Sequence, residues 1–280
     1  MRTRSRRTTL WLLLVAALLP IVVAVSVQAQ QYYGRRGGWR AGPMREGLPE
    51  VRTGFMFCRL LYTSVRREPG GYGWNTDYPG SDHNFSIRMS QLTTAGMSQW
   101  SDGEPGYAVV RPTDPELFQC PFLFASDVGT AGFSHDEALR LREYLLKGGF
   151  LWVDDFWGER AWYHWTAELR RILPGAEIID LTPEHPLFSN VFLIRRVPQV
   201  PSIQHWRRSG GATSERGSES EQPNLRAVVD ESGRILVLMS HNTDIADGWE
   251  REGEEEAFFD SFSPESYAIG ANVAVWSMTH

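Results

Sequence analysis

The apolar residues along the chain predict short buried strands that alternate with helices. Residues 55–62 form a nearly continuous apolar run of strand length, which is typical of a strand covered on both faces. Further short apolar runs follow it, separated by polar segments. The predicted strands are 55–62, 107–110, 121–125, 150–153, 177–181, 225–229 and 234–239. The last two flank residues 230–233, a turn-like Asp-Glu-Ser-Gly sequence, and are predicted to form a hairpin.

Helices are predicted between these strands and at the end of the chain. The clearest one begins at Ser134 and Glu137, which have capping-box spacing, and ends at the glycine pair 148–149. The predicted helices are about 82–94, 134–147, 159–173 and 266–278. Because strands alternate with helices, we expect an α/β fold with a mostly parallel sheet, helices on both faces, and the hairpin as an antiparallel extension at one edge. Residues 207–223 are polar and of low complexity, so a mobile loop is predicted there.

The first 29 residues have the pattern of an export signal. A basic, polar start is followed by an apolar stretch at 10–27, and Val27-Gln28-Ala29 places small residues at a cleavage site after Ala29. The alternative is an uncleaved N-terminal membrane anchor, since the stretch is close to the lower limit of roughly 18 residues for a spanning helix. Residues 30–52 form a linker rich in Gly and Arg. Either interpretation places the domain at 53–280 outside the cytoplasm, in the periplasm or cell envelope.

Charge and cysteine content narrow the function classes. The net charge is −6, and the first 29 residues carry four arginines and no acid, so the rest of the chain carries −10. An acidic body disfavours nucleic-acid binding, and no nucleic-acid partner is expected. Two cysteines exclude a disulfide-rich scaffold and a four-cysteine zinc site. Cys58 lies within a strand and Cys120 at the start of another, so both are expected to be buried apolar residues rather than a disulfide or a nucleophile.

Polar residues at the predicted strand ends are the candidates for a binding site. In open α/β sheets, ligands bind beyond the carboxyl ends of the strands. The predicted ligand-binding residues are Asp77, Ser126, Asp127, Asp155, Trp157, Asp244 and Trp249. Asp154 and Asp155 are adjacent and point to opposite faces of an extended strand, so one is expected to line the site. The alternative is that one caps the next helix while the other pairs with Arg160 or a backbone N–H.

Asp155 and His241 are the candidate catalytic residues, and Asp155, His241 and Asp244 are the candidate metal ligands. The alternative is that His241 and Asp244 are polar loop residues, with Asp244 capping a turn. The sequence has no HExxH, GxxxxGK[ST], GxSxG or paired CxxC motif.

Several segments together resemble the DUF4159 family of bacterial envelope proteins, over about residues 53–280. The segments that carry the resemblance are 55–62, 74–79, 84–93, 148–155, 184–188, 242–249 and 270–273. The resemblance implies a three-layer, flavodoxin-like fold similar to class I glutamine amidotransferases. Their catalytic members carry a cysteine on a strand-to-helix turn, where Asp154 and Asp155 stand here, so covalent glutamine hydrolysis is not expected.

The leading hypothesis is therefore an exported, non-catalytic module that binds an envelope protein or a small ligand and needs no cofactor. The resemblance implies a membrane-attached assembly with von Willebrand-type proteins as its partner. A second hypothesis is an envelope hydrolase acting on a glycan or amide, with Asp155 as base or nucleophile, His241 as acid or base, and a divalent metal ion as cofactor. A third is a structural envelope protein whose crevice is filled by its own loop at 63–81.

Overall fold

A computed structural model describes residues 47–52 and 54–280. The predicted signal peptide and most of the predicted linker lie outside the described residues. In the part of the chain that is described, no helix combines the length and the apolar character needed to cross a membrane.

Seven strands form one mixed sheet, as the apolar runs predict. They are β1 (Phe57–Leu60), β3 (Tyr107–Val110), β4 (Phe122–Ala125), β6 (Phe150–Phe156), β7 (Ile178–Asp180), β8 (Asn224–Val229) and β9 (Ile235–His241). Two short strands, β2 (Thr63–Ser64) and β5 (Ala131–Gly132), pair with each other. The order in the sheet is β3-β1-β4-β6-β9-β8-β7. The first five strands run parallel, β8 pairs antiparallel with β9, and β7 pairs antiparallel with β8, which confirms the mostly parallel sheet and its hairpin extension.

Six α-helices are described. They are α1 (Gly80–Leu92), α2 (His135–Leu146), α3 (Gly158–Ile172), α4 (Ile203–Ser209), α5 (Asp247–Glu250) and α6 (Glu256–Thr279). The capping box of α2 is confirmed, because Glu137 N–H donates to Ser134 Oγ at 3.2 Å and Ser134 N–H donates to Glu137 Oε2 at 2.7 Å. The last helix begins ten residues before the predicted start and contains Pro264.

Alternate side chains of the central strands separate into two cores, one on each face of the sheet. One face is aromatic and packs against Phe85 of α1, Trp249 of α5 and residues of α6. Its strand residues include Phe57, Phe122, Phe124, Phe150 and Trp152. The opposite face is mainly aliphatic and packs against α2 and α3. Its strand residues include Cys58, Leu60, Leu123, Leu151 and Val153.

Cys58 and Cys120 form a disulfide, so the expectation of two separate apolar cysteines is wrong. The sheet order explains the bond. Strands β1 and β4 are neighbours, with Cys58 in register with Leu123, and Cys120 lies two residues before β4 on the same face. Their Cα atoms lie 5.9 Å apart, within the range that a disulfide spans. Strand adjacency of this kind cannot be read from the spacing of two cysteines.

The segment 207–223 contains the end of α4 and a short 3-10 helix at Gly217–Ser220. Side chains tie it to other parts of the chain. Thr213 Oγ1 donates to Gln199 Oε1 at 2.7 Å, and Arg216 Nη2 donates to the carbonyl of Pro69 at 2.8 Å. The predicted loop thus contains local structure, and its mobility stays a prediction.

Candidate functional site

Left-handed backbone conformations mark the carboxyl edge of the sheet. In the described ranges, the non-glycine residues with positive φ are Asp77 (63°), Asp127 (52°), Asp155 (54°) and Asn242 (63°). Asp127 and Asn242 follow β4 and β9, and Asp155 lies near the end of β6. Asp and Asn tolerate this conformation better than other side chains with a Cβ, but it still costs free energy. Such conformations cluster at functional sites.

A β-bulge separates the two adjacent aspartates of β6. The pairing of β6 with β9 shifts register between Val153 and Phe156. Asp154 is buried and accepts hydrogen bonds from Ser240 Oγ and, at 3.0 Å, from the N–H of Ala246. Its carboxylate therefore serves the fold and joins β6 to the turn after β9.

Asp155 is the aspartate that reaches the strand-end site. Its Oδ1 accepts a hydrogen bond from Trp157 Nε1 at 3.0 Å. Neither aspartate caps α3, so that part of the alternative is wrong: the N–H of Gly158, the first residue of α3, donates to Asn242 Oδ1 at 2.8 Å. The other part is confirmed, because Asp154 pairs with the backbone N–H of Ala246. Asp155 is thus left to contribute to the site.

Three carboxylates from three separate segments meet at this edge. Asp77, Asp155 and Asp244 each place one carboxylate oxygen within 4.8 Å of the others. Ser126 Oγ donates to Asp77 Oδ2 at 3.2 Å. The N–H of Asp247 donates to Asp244 Oδ1 at 2.9 Å, so Asp244 also caps a turn, as its alternative role predicts. Clustered carboxylate oxygens are the ligands that Ca²⁺ and Mg²⁺ prefer.

Asp77 also belongs to a second carboxylate group, with Asp247 and Glu250. Arg251 already balances charge in that group, because its Nε lies 3.3 Å from Asp247 Oδ1 and 2.8 Å from Glu250 Oε2. In addition, the N–H of Ile203 donates to Asp247 Oδ2 at 2.7 Å. The group formed by Asp77, Asp155 and Asp244 is therefore the better candidate for an added cation.

Burial and mutual repulsion dominate the electrostatics of the site. Burial raises the pKa of Asp155 well above its usual range, and the charges of Asp77 and Asp127 raise it further. Burial likewise raises the pKa of Asp244, with Asp155 and Asp77 as the next causes. Burial also raises the pKa of Asp247 to about 7. Ionised carboxylates in such surroundings are costly unless a proton or a cation neutralises them.

Ser126 and Asp127 are buried beneath the segment that follows β2, and they hold it in place. Asp127 Oδ2 accepts a hydrogen bond from the N–H of Gly73 at 2.7 Å, and a side chain at Gly71 would collide with the same carboxylate. Burial raises the pKa of Asp127 to about 7. Asp127 therefore faces this segment, although it lies close enough to act on Asp155.

The segment 63–79 covers part of the strand ends. The N–H of Val65 donates to the carbonyl of Thr130 at 2.9 Å, Arg66 Nη1 donates to the carbonyl of Gly129, and Arg216 holds the carbonyl of Pro69. Asp77 and Asp155 stay half-buried, and Asp244 is almost fully buried. The chain's own loop thus covers part of the crevice at these carboxylates.

His241 does not join the carboxylates. Its Nδ1 lies 3.2 Å from Arg226 Nη1, and its Nε2 lies 3.1 Å from the carbonyl of Gly158. Because arginine only donates, Nδ1 accepts and Nε2–H donates, so both ring nitrogens are engaged. Burial lowers the pKa of His241 to about 4. Among the described residues, neither carboxylate group includes this histidine.

The two tryptophans predicted to line the crevice differ in position. Trp249 is completely buried, with its ring centroid 4.4 Å from that of Phe85, so the prediction that it lines the site is wrong. It lies on α5, which turns it into the aromatic core. Trp157 is only 4% exposed and contributes its indole N–H to Asp155.

The predicted site does not include Asp247 and Glu250, which form the second carboxylate group with Asp77. A signal was present, because Asp244, Asp247 and Glu250 are spaced by three residues. Residues three apart share one face of a helical turn. The sequence contains no comparable signal for the buried Arg59.

Residues 57–278 match the family model described as "Domain of unknown function (DUF4159)", and the chain belongs to this family. The match runs from the first residue of β1 to the penultimate residue of α6 and so includes every strand and helix named above. A search of curated proteins found no match.

Proposed function

We propose that this DUF4159 protein is an exported, non-catalytic binding module whose strand-end site holds a divalent, oxygen-preferring cation. Asp77, Asp155 and Asp244 would be its ligands. The observation that carries the proposal is their convergence within 4.8 Å. The charges that act most on Asp155 are those of other acidic groups. A divalent cation would relieve this repulsion and supply the charge that burial of three carboxylates requires.

The partial covering of the site favours an ion over a polymer. The segment 63–79 covers part of the strand ends, and Asp244 is 3% exposed. A glycan or peptide chain would need an open groove along these residues. A cation needs only carboxylate oxygens from different segments and room for water ligands.

Export is proposed on two grounds. The predicted signal peptide precedes the domain, and a disulfide joins Cys58 to Cys120. Disulfides form and persist in oxidising compartments such as the periplasm. The flavodoxin-like, amidotransferase-like arrangement, the cell-envelope location and an envelope partner with von Willebrand-type domains belong to the same proposal and rest on the family resemblance.

The alternative is an envelope hydrolase that acts on a glycan or an amide. The raised pKa of Asp155, caused first by burial, would suit a general base or acid. The engagement of His241 with Arg226 and Gly158 leaves that residue poorly placed as the second group. The form of this alternative that agrees with the contacts is metal-dependent hydrolysis at Asp155.

Calorimetric titration with Ca²⁺, Mg²⁺ and Mn²⁺ tests the proposal. Wild-type protein should bind one of these ions, and the double variant Asp155→Asn/Asp244→Asn should lose binding while keeping its far-ultraviolet circular dichroism. Asp260→Asn, at an exposed aspartate of α6, is the matched control and should bind like wild type. Equal binding by the double variant, or no binding by wild type, would reject the site. Cation-dependent hydrolysis of envelope glycans or amides that Asp155→Asn abolishes would favour the enzyme.

A further inference from the structure

Arg59 is a fully buried arginine on β1, on the aromatic face of the sheet. It forms an ion pair with Asp82 of α1, in which Nε lies 3.0 Å from Oδ1 and Nη2 lies 2.6 Å from Oδ2. A buried ion pair is a weak source of stability, because the cost of desolvating both charges offsets most of their attraction. Its presence therefore calls for a reason other than stability.

The remaining N–H groups of Arg59 hold the segment that carries Asp77. Nη1 donates to the carbonyls of Trp74 and Thr76 at 3.2 and 2.9 Å, and Nη2 donates to Ser81 Oγ at 2.8 Å. Each N–H of the guanidinium thus has an acceptor, and these acceptors lie on both sides of Asp77. One guanidinium thus holds the backbone before this aspartate and the side chains of Ser81 and Asp82 after it.

Asp77 needs such a clamp. Its φ of 63° is left-handed, a conformation that is strained for a residue with a Cβ and persists only when its surroundings fix it. The carbonyl of Thr76, which precedes it directly, is held by Arg59, and the carbonyl of Asp77 itself accepts from the N–H of Ser81 at 3.0 Å. These two anchors fix the backbone from which the Asp77 side chain extends.

We infer that Arg59 is a positioning residue, which fixes the backbone around Asp77 so that its carboxylate meets those of Asp155 and Asp244. The effect of Arg59 on ion binding rests on the proposed cation site. Its effect on the position of Asp77 does not depend on any ligand. Arg59 acts through Thr76, Ser81 and Asp82 and does not itself bind the ion. The planar, five-donor guanidinium is suited to this role, whereas a lysine ammonium is a point charge with three donors.

Arg59→Lys is the variant that tests this role, because it keeps the positive charge beside Asp82 but cannot hold both carbonyls. In calorimetric titrations with Ca²⁺ and Mg²⁺, we expect it to bind the preferred ion about tenfold or more weakly than wild type, since several hydrogen bonds that orient one ligand are lost. Asn272→Ala is the matched control. Buried Asn272 holds Leu187 and Phe192 through three hydrogen bonds, so this variant should lose stability but keep wild-type affinity.

A crystal structure of Arg59→Lys supplies a second measurement that needs no ligand. We expect the Asp77 carboxylate to move beyond 4.8 Å from that of Asp155. A wild-type position of Asp77, or wild-type affinity for the ion, would overturn the inference. If wild-type protein binds neither ion, the proposed function fails, and the crystal structure still decides the role of Arg59. If Arg59→Lys does not fold, Ser81→Ala removes one hydrogen bond of the clamp and should show a smaller effect in the same direction.

Discussion

The indole Nε1 of Trp157 donates a hydrogen bond to Oδ1 of Asp155 at 3.0 Å, across the bulged end of β6. Asp155 has a left-handed backbone conformation, with a φ of 54°. Trp157 is almost fully buried, so its ring cannot follow a moving carboxylate. The bond occupies one of the two oxygens of Asp155 and fixes the direction of the other.

We therefore predict that Trp157→Phe weakens cation binding while retaining the fold. The substitution keeps an aromatic ring but removes a hydrogen bond worth about 1 kcal/mol, which corresponds to roughly a fivefold loss of affinity. Calorimetric titration with Ca²⁺ and Mg²⁺ measures the change. Trp162→Phe is the control, because Trp162 packs against Arg226 and His241. Affinity equal to that of wild type in Trp157→Phe would show that the indole does not orient Asp155 for binding.

The stability of the cation-free protein should decrease as pH rises from about 4 to about 7. Burial raises the pKa of Asp154 and of Asp247 to about 7, above the value of 3.8 expected in the unfolded chain. Over this interval the folded protein binds more protons than the unfolded chain, so raising the pH favours unfolding. Urea denaturation at a series of pH values measures this slope. A free energy of unfolding that rises steadily between about pH 5 and pH 7 would contradict the prediction.

Saturating cation should reverse this trend, because the ion replaces the protons as the neutralising charge. The increase in melting temperature on adding Ca²⁺ or Mg²⁺ should be larger at about pH 8 than at about pH 5. The double variant Asp155→Asn/Asp244→Asn serves as the comparison. It should be more stable than wild type at the higher pH without cation and should gain nothing when the ion is added.

Much of the fold follows from the sequence because buried strands need continuous apolar residues. The apolar run at 150–153 predicts a strand, yet β6 continues to Phe156. It continues because the carboxylates of Asp154 and Asp155 accept hydrogen bonds from Ala246 N–H and Trp157 Nε1, and hydropathy does not encode such contacts. The helix α6 begins ten residues before the predicted start at 266. Pro264 signals a helix boundary, but the helix begins at Glu256 and continues through the proline.

The rule that ligands bind beyond the carboxyl ends of the strands predicts Asp77, Asp155 and Asp244 as site residues, and these three do meet in the structure. The same rule also selected Trp249. The candidate catalytic residue His241 likewise lies at the end of a strand, β9. Whether a residue after a strand faces the crevice or the core depends on one or two backbone angles, and a single residue's shift reverses its direction. That information is absent from the spacing of residues along the chain.

The disulfide between Cys58 and Cys120 provides a test of compartment and stability together. The bond closes a loop between residues 62 apart in sequence, for which restriction of the unfolded chain predicts a contribution of about 4 kcal/mol. Urea denaturation of the protein with and without reductant should show a loss of this order. Two free thiols found by mass spectrometry in protein isolated from its natural compartment would contradict both the bond and the proposed export.

His241 should be a structural residue rather than an acid or base. Burial lowers its pKa to about 4, so nuclear magnetic resonance titration should find the imidazole neutral at about pH 6. Because the folded pKa lies below the usual 6.5, this residue's contribution to stability declines as pH falls from about 6.5 to about 4.

Replacing His241 by Gln should cost about 1–3 kcal/mol of stability, since Arg226 loses its acceptor and the carbonyl of Gly158 its donor. Cation affinity should stay within about twofold of wild type, because the imidazole makes its contacts away from the carboxylates. Loss of cation binding in a folded His241→Gln protein would show that His241 takes part in binding the ion. Loss of binding in Asp155→Asn but not in His241→Gln would separate the residue that binds the ion from the residue that supports the strand beside it.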